Sequence, residues 1–392
     1  MIKKEKIKAY ALQNAVAHDG KCVFNAILGS LFSDGLEKDK IKDYSGLINE
    51  VVDEVNSMSL KEQEKEFENF EEFLGENKRK EREGLSELEN AEIGKVVLRF
   101  APFPSGPLHI GNTRQLILND EYAKKYKGEL ILVMDDTIGS EEKPIVNEAY
   151  GLIEAGVKWL GADYNNKVVY KSDRIDTYYS YAEELIKKGY MYVCSCSQDK
   201  VRELRKKGIE CDCRSFSDLE NHERWKKMFS ANEGDYIVRL KTGMENSNPA
   251  FRDRVMFRIS ERSHPKLGNK YRVWPLLEFS WAIDDHLLGV THIIRGIDLI
   301  METEVEKFIW DIFQWPHLKV IHTGHFSIEG IKISKSKGAK EVLSGEYIGW
   351  NDPRTWSLQS LKDRGILPES IREFILGMGL TKTNSSVAID VL

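Results

Sequence analysis

Val96-Val97-Leu98-Arg99-Phe100 runs into Ala101-Pro102-Phe103-Pro104-Ser105-Gly106-Pro107, and that into Leu108-His109-Ile110-Gly111-Asn112. The first run is short and apolar, the pattern of a buried strand. The second is a rigid, turn-rich loop. A helix can begin near His109, with Leu116, Ala123 and Tyr126 at helical spacing. Leu130-Ile131-Leu132-Val133-Met134 reads as a second strand, about Glu141 to Trp159 as a second helix, and Val168-Val169-Tyr170 as a third strand. Strands alternating with helices give βαβ units and a parallel sheet, so the fold class is α/β.

Outward from this core the rhythm changes twice. Residues 190–270 hold paired cysteines, a charged helix and the alternating stretch Tyr236-Ile237-Val238-Arg239-Leu240-Lys241, and read as an insertion. The α/β rhythm resumes over Asp284–Arg295, and after Ser336 the chain reads as mainly helical. Residues 1–94 contain no proline and look helical and separate; within them Lys61 to Glu92 is dense in Glu and Lys, the composition of a solvated helix or linker. That quarter is acidic, with 14 Lys and Arg against 21 Asp and Glu, while the remainder holds 43 against 42. The rest is therefore near neutral and basic enough to meet a polyanion.

The 392 residues allow two to four domains, and 41% hydrophobic with 31% charged residues is an ordinary soluble balance. No run approaches 18 apolar residues, so no membrane span is expected. The polar start Met1-Ile2-Lys3-Lys4-Glu5 lacks the apolar core of a signal peptide, and five cysteines do not make a disulfide scaffold; both favour a reducing, cytoplasmic setting.

Three motifs carry chemistry. The loop Pro104-Ser105-Gly106 feeds a helix N-terminus, whose unpaired N–H groups and partial positive charge suit phosphate. There Gly106 permits a sharp turn, Gly111 leaves room for a flat ring such as adenine, and His109 can donate a hydrogen bond to a phosphoryl oxygen. Lys332-Ile333-Ser334-Lys335-Ser336 sets lysines and hydroxyls together where they can neutralise a triphosphate. Cys194-Ser195-Cys196 and Cys211-Asp212-Cys213 offer four thiolates in two close pairs, a set for tetrahedral Zn²⁺, with Cys22 left over as a buried apolar residue. His286 and His292 read as structural, and Trp274, Trp281 and Trp310 as core rather than nucleobase platforms.

An HIG motif followed about 220 residues later by KxSKS is the signature of class I aminoacyl-tRNA synthetases. The chain resembles the glutamyl-tRNA synthetases of the archaeal type. The likeness runs through Arg99-Phe100-Ala101-Pro102, Asp136-Thr137, Tyr170-Lys171-Ser172-Asp173-Arg174, Asp284-Asp285-His286-Leu287-Leu288-Gly289-Val290-Thr291-His292, Arg295-Gly296 and Gly349-Trp350-Asn351-Asp352-Pro353-Arg354. Asn14-Ala15-Val16 and Asp19-Gly20-Lys21 resemble that branch's helical extension.

The resemblance implies a helical extension and linker over 1–94 and a Rossmann-type catalytic domain in halves 95–190 and 271–338. It also implies an α/β, acceptor-stem-binding insertion over 191–270, and a helical stem-contact region over 339–392 that stops before anticodon-binding β-barrels. Ligation of glutamate to the 3′ end of tRNA, with ATP and Mg²⁺, is the implied activity. His109, Lys332 and Lys335 would be catalytic. Pro104, Ser105, Gly106, His109, Gly111, Asn112, Lys332, Ser334, Lys335 and Ser336 would hold ATP. Arg99, Asp135, Trp281 and Arg295 would hold glutamate, Arg99 facing the γ-carboxylate and Asp135 the amine. Cys194, Cys196, Cys211 and Cys213 would hold a structural Zn²⁺, and a separate C-terminal anticodon-binding part would be a partner.

The sequence departs from the family at Asn112, which replaces the fourth residue of the HIGH motif. It departs again at Val133-Met134-Asp135-Asp136-Thr137-Ile138, where an Arg and a final Asp are missing, and in the pocket helix around Trp281. Rival readings are a glutaminyl-tRNA synthetase, or a truncated paralogue that glutamylates a tRNA base or only binds tRNA.

Overall fold

The computed structural model describes residues 3–34, 36–37, 40–70, 73–74, 84–138, 140, 143–330 and 335–387. It divides into two compact units, residues 1–83 and 84–392.

The first unit packs the helices Lys4–Ala17, Phe24–Ser33, Ile41–Asn56 and Leu60–Phe70. Ile48, Val51 and Val55, spaced at helical intervals, join Ile7, Leu12, Ile27 and Leu31 in its core. The charged run that reads as solvated is partly packed. Ser59 and Glu62 cap the start of its helix, Phe67 and Phe70 lie on the core, and Gln63 is fully buried. The Gln63 amide donates to the carbonyls of Gly20 and Val55 at 3.0 and 2.8 Å, so a polar residue is tolerated inside. Residues 84–94, grouped with this extension by sequence, belong to the second unit, where Leu85, Leu88 and Ala91 pack on the main core.

In the second unit Val97–Phe100, Glu129–Met134 and Val168–Tyr170 form a parallel sheet in that order, with the helices Ile110–Lys125 and Asn147–Trp159 as crossovers. A second parallel pair, His292–Gly296 with Lys319–Thr323, is joined by the helix Ile300–Phe313. It lies beside the first strand, where the Thr291 N–H donates to the Val97 carbonyl at 2.9 Å. From edge to edge the order by chain position is third, second and first strand of the first half, then the two strands of the second, the doubly wound arrangement with its switch point between Val97–Phe100 and His292–Gly296.

Three local expectations shift. The helix expected from about Glu141 begins at Asn147, because Pro144 and an extended Val146, whose N–H donates to the Pro104 carbonyl at 2.9 Å, precede it. Asp284, Asp285 and His286 lie on the helix Leu277–Leu287 rather than in strand and turn, and the strand begins at His292. The C-terminal stretch holds the helices Lys335–Leu343, Leu358–Asp363 and Pro368–Met378, but also a strand, Ser385–Val387, parallel to Phe326–Ile328.

The insertion is an antiparallel sheet, Met191–Cys194, Ile237–Leu240, Val255–Ile259 and Val273–Pro275, reaching beyond residue 270. Its helices Gln198–Lys207 and Asp218–Met228 start at capping serines, Ser197 and Ser217. Trp225, Phe257 and Trp274 fill its interior, and Trp310 is buried in the same core; Trp274 and Trp310 are thus core, as expected of them. No helix among the described residues is long and apolar enough to cross a membrane.

Candidate active site

A cavity of about 950 Å³ opens at the carboxyl ends of Val97–Phe100 and His292–Gly296, the position a switch point offers to ligands. It has a charged end and a largely uncharged end.

The charged end is made of paired side chains. Arg99 meets Asp285 through Nε and Nη2, the latter at 2.8 Å from Oδ2, and both residues are buried. Arg295 meets Glu306 through Nη1 and Nη2, each at 2.8 Å, and Nη2 also donates to Thr303. Lys171, with no exposed surface, lies 3.0 Å from Asp135 and donates to Ser280 at 2.9 Å. Trp281 stands among the three cations, with Arg99, Lys171 and Arg295 at 4.6, 4.9 and 5.1 Å from its ring. Burial works against the Arg99 charge, yet Asp285, with Glu306 and Asp135, more than offsets it and the pKa stays raised. At Glu306 burial wins instead, raising its pKa against the pull of Arg295. Buried ion pairs add little net stability, so their use here fixes where charge sits.

The uncharged end starts at His109, the N-cap of Ile110–Lys125. Asn112 accepts from the His109 N–H at 3.1 Å through Oδ1 and donates its own N–H to the His109 carbonyl at 2.8 Å, a reciprocal cap. The departure from the fourth HIGH histidine is thus a neutral cap. A Cβ at Gly111 would stand 3.0 Å from the His109 imidazole, so a side chain there would crowd His109. Ser105, His109, Gly111 and Asn112 line the cavity; Pro104 and Gly106 are not among its lining residues. Gly106 (φ +153°) instead packs under Trp350, which would meet a Cβ there at 3.0 Å. The C-terminal stretch also pairs its backbone with this loop, Ile110 N–H to the Trp356 carbonyl and Leu358 N–H to the Leu108 carbonyl.

Lys332 and Ser334 lie outside the described residues, and Lys335 and Ser336 open the helix Lys335–Leu343. Lining residues that the sequence did not assign include Gln115, Lys143, Asp298 and His325. Gln115 could have been found from its place one helical turn beyond Gly111; Lys143 and His325 carried no motif. Asp136, beside Asp135, is structural: it accepts from the Ser172 N–H and hydroxyl and from Tyr150, and burial raises its pKa. His292 reaches the Glu89 carbonyl and His286 stacks on Trp315, and among the described residues neither joins a cluster of metal-ligating side chains.

Away from the cavity, the thiols of Cys194, Cys196, Cys211 and Cys213 all lie within 4.8 Å of one another, and all four are free. Cys194 and Cys211 are 3.8 Å apart, close to the edge of a tetrahedron with metal–sulfur bonds of about 2.3 Å. The Cys211 thiol is held low, at about 5, by the hydrogen bond with Cys194 and by Arg239, while Cys194 is pushed up. Arg239 donates to Cys211 at 3.6 Å.

A doubly wound sheet with an HIG helix start and a ligand cavity at its switch point defines a class I synthetase, and residues 95–390 match the family described as tRNA synthetases class I (E and Q), catalytic domain, to which the chain belongs. It is 45% identical over 391 residues to the Glutamate--tRNA ligase of Pyrococcus furiosus, covering 98% of this chain and 68% of that one. The corresponding protein of Methanothermobacter thermautotrophicus is 42% identical over 386 residues, covering 98% and 69%. The fold is also that of a glutamate tRNA ligase from Elizabethkingia meningosepticum in complex with its amino acid, with a TM-score of 0.55 and 20% identity over 76% of this chain and 68% of that one.

Proposed function

We propose that this chain ligates glutamate to the 3′ end of tRNA in the cytoplasm. The observation that carries the reading is a cavity in which Arg99 and Arg295 at the strand ends share one space with His109 and Asn112 at the helix start. The similarity to the two archaeal ligases supports glutamate as the amino acid.

The reaction has two steps. A glutamate α-carboxylate oxygen bonds to the α-phosphorus of ATP, the bond to the β-phosphate oxygen breaks, and pyrophosphate leaves. The terminal ribose 2′-hydroxyl then attacks the acyl carbon of the adenylate, AMP leaves, and the hydroxyl proton passes to solvent. Catalysis needs placement and charge stabilisation rather than a covalent enzyme intermediate. ATP enters as its Mg²⁺ complex; the metal supplies charge neutralisation to the phosphates. His109, Lys332 and Lys335 act on the phosphates. The bonds from Arg99 to Asp285 use Nε and Nη2, which leaves Nη1 for the γ-carboxylate. Neutral glutamine gives that guanidinium a weaker partner.

Charging of total tRNA with labelled glutamate and glutamine, measured separately with ATP and Mg²⁺, tests the reading. Glutamate transfer to the 3′ end is the expected result. Transfer of glutamine alone would assign the chain to the sister activity, and glutamate on an internal base would assign it to base modification.

For the insertion, the four thiols fit a structural Zn²⁺, bound by Cys194, Cys196, Cys211 and Cys213. One zinc per chain by elemental analysis is expected. Cys211→Ser should lower it and destabilise the insertion; metal-free protein of unchanged thermal stability would reject the assignment.

A further inference from the structure

Arg254 stands in the insertion, just before the strand Val255–Ile259, and its Nη2 reaches two carboxylates outside it. One is Glu278, in close contact, and the other Glu302, at 3.3 Å. Glu278 lies in the first turn of Leu277–Leu287, the helix that carries Leu277 and Trp281 into the cavity and Asp285 to Arg99. Glu302 lies in the first turn of Ile300–Phe313, the helix whose Thr303 and Glu306 hold Arg295. One guanidinium therefore spans the starts of both helices that build the charged end of the cavity. Neighbouring residues dock on the second helix: the Phe251 ring meets Phe308 edge-on, centroids 6.0 Å apart, and the Asn248 amide lies 3.1 Å from the Met301 sulfur. Glu278 is 5% exposed and Arg254 and Glu302 about a fifth exposed, so their charges are poorly screened.

We infer that Arg254 is a positioning residue through which the insertion sets the geometry of the amino-acid end. Carboxylates suit helix N-termini singly, but Glu278 and Glu302 meet one cation, and without it two like charges face each other. Their repulsion separates the first turns of the two helices, and with them Trp281 from Arg295. His109 and Asn112 lie on a third helix that Arg254 does not touch. The effect is therefore selective, falling on the amino acid and sparing the nucleotide. This inference rests on the glutamate reading of the cavity.

The test is steady-state aminoacylation by the full chain with Arg254→Met, which keeps the apolar stem and removes the charge. KM for glutamate should rise about 10-fold while KM for ATP stays within about 2-fold. The double variant Arg254→Met with Glu302→Gln, which removes the repulsion, should recover most of the loss. Glu302→Gln alone, which leaves the Arg254–Glu278 bond in place, keeps the test open should Arg254→Met not fold: it should raise KM for glutamate about 3-fold with KM for ATP unmoved. An unchanged KM for glutamate in these variants, or glutamate and ATP constants rising together, overturns the inference. Absence of glutamate charging by the unsubstituted chain would instead reject the underlying function.

Discussion

The two ends of the cavity are built from different materials. The end expected to take the nucleotide is, within the described part of the cavity wall, mostly local: a proline-rich loop and the capped start of one helix, contiguous over residues 101–112, with uncharged groups and backbone doing most of the shaping. The end expected to take the amino acid is assembled from distant pieces: Arg99 meets Asp285 across 186 residues, and Lys171 and Arg295 come from other elements again. Each of its cations arrives with a carboxylate already bound. A local site can be read as a motif, whereas a charge-paired site depends on the whole fold and fails as a unit.

The largest effect should fall on the nucleotide end. Lys335→Ala removes a cation expected on the phosphates, and adenylate formation should drop about 1000-fold while tRNA binding is spared. Adenylation at the unsubstituted rate would mean that the phosphate site lies elsewhere. At the other end, Asp285→Ala leaves Arg99 buried without its partner, and removal of one member of a buried pair costs about 3–5 kcal/mol. Urea unfolding should show that loss, together with a raised KM for glutamate; a loss below about 1 kcal/mol would mean that Arg99 finds another partner. Asn112→Ala is milder. It removes the acceptor of the His109 N–H, worth about 1 kcal/mol, and should raise KM for ATP a few-fold without touching glutamate. If Asn112→Ala moved the glutamate constant and Asp285→Ala the ATP constant, the division into two ends would be wrong.

What was legible in the sequence follows the same division. The parallel strands, the crossover helices and the HIG helix start could be read because each is a local pattern. His109, Gly111, Asn112 and Ser105 do line one cavity, as do Arg99, Asp135, Trp281 and Arg295. The partners of those charges, Asp285, Glu306 and Lys171, received no role from the sequence, because pairing between elements leaves no trace in spacing. Gly106 shows the converse: its place in the loop suggested ATP, while the contact that requires its missing side chain is Trp350, 244 positions along the chain. Residues 84–94 read as charged linker, since Leu85, Leu88 and Ala91 look sparse until the core they cover is known.

The smallest expected effect concerns the contact between the insertion and Asp136, the residue after Asp135. His264 donates from Nε2 to the Asp136 carbonyl at 2.7 Å, and its Nδ1 accepts from the N–H groups of Lys266 and Leu267 at 3.2 and 3.3 Å. That pattern requires the neutral ring, because a proton on Nδ1 would face two donors. Burial lowers the His264 pKa from 6.5, with Asp136 pulling weakly the other way. The unfolded chain therefore binds the proton first as pH falls. The stability contributed by the neutral ring is complete above about pH 6.5 and is lost as pH falls through the unfolded value toward the lowered folded one. Between about pH 7.5 and pH 5.5 the melting temperature of the unsubstituted protein should fall further than that of His264→Gln, which keeps a donor and has no proton to gain. Since Asp136 is joined to Asp135, the same interval should raise KM for glutamate more than KM for ATP. Equal pH slopes in the two proteins would mean that His264 does not contribute pH-dependent stability over this range.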